Sequence, residues 1–70
     1  MARKLEYGDR VKVLGGMKEF VGATGVISDA ECDRHVMLYR VRLDAPVEVK
    51  GVGRVTSDLW ARGFLQKLRD

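Results

Sequence analysis

Few side chains in this sequence have the types and spacing that chemistry requires. Cys32 and His35 stand three residues apart, a spacing zinc ligands use. A closed zinc site takes four such ligands, and the chain has one cysteine and one histidine, so no metal is expected. Ser28 reads as a strand end and Ser57 as a helix cap, and no Ser-His-Asp or paired-carboxylate spacing accompanies either. What remains is cationic. Arg10 and Lys12, and again Arg40 and Arg42, recur at i and i+2, with Arg54 further on. Guanidinium forks suit phosphate oxygens, and each phosphate contact steepens the salt dependence of binding. The expectation is a binding surface rather than an enzyme, with no cofactor and no evident small-molecule substrate.

Such a surface needs a scaffold that holds alternate residues on one side, and the residues around these cations have the period of a strand. In 9–14, Val11 and Val13 share one face while Arg10 and Lys12 share the other. Residues 15–20 then form a loop. Residues 21–29 predict a second strand, with Gly22 and Gly25 where the sheet bends or another backbone comes close. The polar residues 30–34 connect it to a third strand over 35–43. There Met37, Tyr39, Val41 and Leu43 face the core, and Val36, Leu38, Arg40 and Arg42 face away. Pro46 is expected to end that strand, because proline donates no ladder hydrogen bond. Residues 47–56 predict a fourth strand with Gly51 and Gly53 at a hairpin tip or bulge. In 57–63, Ser57 predicts the cap of a short 3₁₀ or α turn and Gly63 a left-handed stop. Residues 64–68 predict a last strand with Leu65 or Phe64 inward. Trp60 is expected to plug one end of the core, and Tyr39 to pack inside it.

Five short strands with one turn before the last predict an all-β chain, a five-stranded SH3-like barrel; an OB-fold barrel is the alternative. Seventy residues make one domain near the lower size limit for a single core, with 1–5 and 69–70 expected to fray. Apolar residues at 46% and charged residues at 33% are a globular composition, not a disordered one. No apolar run approaches the length that spans a bilayer, and no apolar segment follows the basic start. A lone cysteine excludes an internal disulfide and points to a reducing, cytoplasmic setting. The net charge of +3 is a mild bias, since acidic residues share the same segments.

Gly8-Asp9-x-Val11-x-Val13-x-x-Gly16, followed by Gly22-x-x-Gly25-x-Ile27, resembles the KOW motif. That motif occurs in ribosomal proteins and transcription elongation factors, which carry it on an SH3-like barrel. The resemblance covers about the first third of the chain and implies contact with nucleic acid. Two features depart from it: the stretch between Gly16 and Gly22 is two residues longer, and Val21 stands where the family commonly has a lysine. The segment from Tyr39 to Phe64-Leu65 is more loosely similar to another SH3-like group, which includes the small peripheral subunit of photosystem I. The pore strand of the plasmid-borne, SH3-like dihydrofolate reductases, a Val-Gln-Ile-Tyr run, has no counterpart.

The resulting expectation is a small interaction module. Arg10, Lys12, Lys18, Arg40, Arg42 and Arg54 are its candidate contacts to RNA or DNA, and Met17 and Phe20 on the loop add an apolar or stacking contact. Asp9, Asp44 and Glu48 are candidates to pair with those cations and leave an ordinary soluble surface. The alternative function is a protein-docking or regulatory subunit that uses Met17, Phe20 and the hairpin 47–55 and binds no nucleic acid. The oligomeric state has no signature in the sequence.

Overall fold

A computed structural model describes residues 5–68. The expected all-β architecture is present as one antiparallel sheet of five strands: β1 (Arg10–Val13), β2 (Thr24–Asp33), β3 (Val36–Val49), β4 (Gly53–Ala61) and β5 (Leu65–Lys67). Their spatial order is β4-β3-β2-β1-β5. β4 and β5 are therefore the two edges, and no ladder joins them to close the sheet into a cylinder. A first 3₁₀ turn (Lys18–Phe20) sits in the glycine loop, and a second (Arg62–Phe64) precedes β5.

The core follows the valine ladder. Val11, Val13 and Val41 are fully buried, with Leu5, Phe20, Ile27, Tyr39, Leu43, Val49, Trp60 and Leu65 around them. Tyr39 and Trp60 are inside as expected, and Leu65 rather than Phe64 turns inward. Met37 was expected on the core face but is 43% exposed, because β3 has passed the end of the core there. Leu5 is buried, so the expected fraying does not reach it; that expectation for 1–4 and 69–70 lies outside the described residues.

Several strand boundaries differ from expectation for identifiable reasons. β2 starts at Thr24 rather than Val21, because Val21 and Gly22 complete the turn that brings Gly22 N–H to the Val13 carbonyl. It then runs on through 30–33, whose polar composition reads as loop although it pairs residue by residue with 36–39. These residues form a hairpin arm with water on both faces, so no apolar alternation marks it. β3 passes through Pro46 without ending. Leu43 to Pro46 bulge between the Arg42–Ser57 and Val47–Val55 pairs, where a missing N–H breaks no ladder. β4 likewise runs through Ser57, which is a strand residue and not a helix cap. The turn is confined to Arg62–Phe64, and Gly63 is not among the glycines with positive φ.

The β2–β3 arm closes through a two-residue turn in which Arg34 (φ 48°) and His35 (φ 70°) are both left-handed. Two-residue hairpins favour such mirror-image turns, yet side chains other than Asn and Gly pay sterically for that backbone. Replacing Arg34-His35 by Asn-Gly should stabilise the arm by about 1–2 kcal/mol. Slower amide exchange at Cys32 and Val36 would register the gain; unchanged exchange would show that the turn is unstrained.

Candidate nucleic-acid interface

The ladder registers decide which cations meet. Arg10 lies opposite Val26, Val26 opposite Arg42, and Arg42 opposite Ser57, so one row crosses four strands. Lys12 lies opposite Thr24 on β2 and Gln66 on β5 in the next row. Arg40, on the other side of the Arg42 row, lies between Leu59 on β4 and Asp29 on β2. All of these positions alternate with Val11, Val13, Val41 and the other core residues, so they share the sheet's outer face. Four of the six expected cations, Arg10, Lys12, Arg40 and Arg42, are thus brought together. The separation between rows is about 7 Å along the strand, and neighbouring strands are about 5 Å apart.

Their electrostatic states differ. Arg10 grips Asp44 with both terminal nitrogens, Nη2 to Oδ2 at 2.7 Å and Nη1 to Oδ1 at 3.4 Å. Thr24 Oγ1 donates to the same Oδ2 at 2.6 Å. The hydrogen bonds from Arg10 and then Thr24 hold the Asp44 carboxyl below the usual carboxylate range, so it stays ionised through the neutral range. Arg40 is half-buried and donates from Nη1 to Ser57 Oγ at 3.4 Å. Arg42 and Lys12 are exposed and make no ion pair among the described residues. Arg42 lines a shallow groove with Val26, Ser28, Leu43 and Asp44.

A bulge bounds this face. Ser28 is the extra residue between the Ile27–Val41 and Asp29–Arg40 pairs, and its hydroxyl donates to the Arg40 carbonyl at 3.4 Å. Beyond it, Asp29, Glu31 and Asp33 occupy alternate positions along β2, so the arm is acidic where the sheet is basic. Asp29 accepts a hydrogen bond from the Tyr7 hydroxyl at 3.0 Å, and this carboxylate raises the tyrosine's pKa.

The other expected residues stand elsewhere. Arg54 is near the start of β4, opposite Glu48 and 3.7 Å from it, with both side chains more than two-thirds exposed. Of the expected acidic partners, Asp44 and Glu48 do meet arginines, whereas Asp9 meets Lys67 at 3.6 Å. Lys18 is exposed at the start of the first 3₁₀ turn, which packs beside β3, and is not part of the ladder rows that carry the other cations. Phe20 is not an exposed contact. It is 2% exposed and packs edge-on to Trp60, with centroids 5.3 Å apart at 77°. The 3₁₀ turn rotates its side chain inward while Met17, Lys18 and Glu19 remain outside.

Met17 is half exposed and lines a second, apolar groove with Leu38, Leu59, Trp60 and Phe64. That groove was not anticipated, because its walls come from four separate segments. Ser28 was also missed as a lining residue of the basic groove, and Asp44 was anticipated only as an ion-pair partner; the place of both depends on bulges that no local pattern marks. Among the described residues no group of His, Cys, Asp and Glu is placed to hold a metal ion. Among the same residues no helix is long and apolar enough to cross a membrane. Comparison with family models, curated proteins and solved structures finds no match to this chain.

Proposed function

We propose that this chain is an SH3-like, KOW-like module that binds the phosphate backbone of RNA or DNA through the outer face of its sheet. The observation that carries the reading is the gathering of Arg10, Lys12, Arg40 and Arg42 on one face, with Arg42 and Lys12 free of ion pairs among the described residues. The strand order, with β5 beside β1 and a 3₁₀ turn before β5, supports the SH3-like element of the reading. Guanidinium and ammonium groups spaced across neighbouring strands neutralise successive phosphates without reading bases. Arg42 supplies a fork at the groove and Ser28 a hydroxyl beside it. Asp44 opposes an anion there and holds Arg10 in place.

A titration with generic single- and double-stranded oligonucleotides at two salt concentrations tests this reading. Three phosphate contacts predict an affinity loss of roughly 40-fold on a fourfold rise in salt with duplex DNA. Arg40→Glu with Arg42→Glu should abolish binding. Asp44→Asn removes the carboxylate that lines the Arg42 groove and should tighten binding about two- to fivefold. No binding at low salt, or an Asp44→Asn protein no tighter than the parent, would sink the proposal.

A further inference from the structure

We infer that β4 is a self-pairing edge through which two copies of this chain form a symmetric dimer. β4 is nine residues long and ladders only with β3, so its other side carries no backbone ladder among the described residues; of its amides, Leu59 N–H donates to Asp58 Oδ1 at 2.8 Å. Long edges of this kind are normally blunted by proline, lysine or inward charges. β4 contains no proline and no lysine; its two charges, Arg54 and Asp58, lie on the core side of the strand, the side of Val41 and Trp60, and are of opposite sign, so a second copy in the right register meets them as attractions.

The side chains along it are complementary to themselves. An antiparallel pairing of two β4 strands about a two-fold axis at Thr56 sets Arg54 opposite the partner's Asp58, and Val55 opposite the partner's Ser57. Symmetry repeats both contacts, giving two ion pairs that flank a Thr56–Thr56 pair, with Arg54 exchanging its loose, exposed contact to Glu48 for the partner's carboxylate. Arg54, Thr56 and Asp58 are all exposed, and Thr56 has no register partner in β3 because it faces the Leu43–Pro46 bulge. The alternative edges lack this property. β5 has only three residues, and self-pairing along 29–33 of β2 would set carboxylates of Asp29, Glu31 and Asp33 against one another.

A second feature falls into the same register. Val52, at the tip of the β3–β4 hairpin, is 73% exposed, more than any other large apolar residue described. Pairing about Thr56 carries it to the level of the partner's Trp60, where the groove of Met17, Leu38, Leu59 and Phe64 opens. One association thus covers the most exposed apolar side chain and an open apolar groove, twice over. The basic outer face is not needed for it.

Sedimentation velocity over a micromolar-to-millimolar concentration series tests the inference on the full chain. The parent should pass from monomer to dimer, with concentration-dependent amide protection confined to β4. Asp58→Arg sets arginines against one another at both symmetric contacts and should weaken the dimer at least about tenfold. The exchanged pair Arg54→Asp with Asp58→Arg should restore it. Val52→Asp, which lies outside β4, should weaken the dimer while circular dichroism stays that of the parent. A parent that is monomeric at millimolar concentration, or an Asp58→Arg protein that dimerises like the parent, would overturn the inference.

Discussion

Phe20→Ala is expected to destabilise the fold by about 3–5 kcal/mol, the usual loss for emptying a buried phenylalanine site. A 70-residue chain has on the order of 4–10 kcal/mol in total, so much of that reserve would go. The reason is position. Phe20 is the one buried residue of its 3₁₀ turn, and its ring meets Trp60 edge-on. Through it the glycine loop is tied to the far end of β4. Truncation leaves a cavity under Trp60 and removes the anchor of the loop. Urea unfolding should show a lower midpoint with the slope retained. A Phe20→Ala protein with the parent's midpoint would mean that the side chain is a surface contact after all.

Gly25→Ala should produce the next largest effect, a loss of about 1–3 kcal/mol from overpacking at a site with no room to relax. Gly25 is buried between Val11 on β1 and Leu43 on β3. A Cβ there would lie 2.7 Å from Val41 Cγ1 and against the Arg42 carbonyl oxygen. The valine can rotate; the backbone oxygen cannot move without shifting β3. Because Arg42 rides on that segment, the substitution should also weaken the proposed nucleic-acid binding, although it removes no charge. Thermal unfolding and the oligonucleotide titration read the two effects separately. Unchanged stability would show that β2 and β3 are less closely apposed than described.

The two faces of the sheet carry opposite lessons about surface charge. Arg10 and Arg54 look equivalent in the sequence, yet one is locked in a two-pronged pair on β1 and the other forms a loose, exposed pair at the start of the edge strand β4. Exposed pairs of the second kind contribute little to stability. Arg42 and Lys12 have no such partner among the described residues. Their charge is available to a ligand, which is why the Arg40→Glu and Arg42→Glu substitutions are the informative ones for function.

The valines at 11, 13 and 41 and the cations between them were legible in the sequence because a strand alternates its side chains with a period of two, whatever it pairs with. Gly25 was legible for a related reason: a residue without a side chain inside a strand marks close backbone approach. Phe20 was not. Beside Met17 and Lys18 on a glycine loop it has the local context of an exposed contact, and only the 3₁₀ turn and the position of Trp60 put it inside. The arm at 30–33 was hidden by its solvation, and the passage of β3 through Pro46 by a bulge.

What the chain alone determined, then, is the alternation: which residues are partitioned to a wet face and which to a dry one, together with the all-β class and the cationic character of the wet face. Which cations become neighbours was decided by strand register and by two bulges. Those depend on how distant strands fit together, a property of long-range packing that no stretch of local sequence contains.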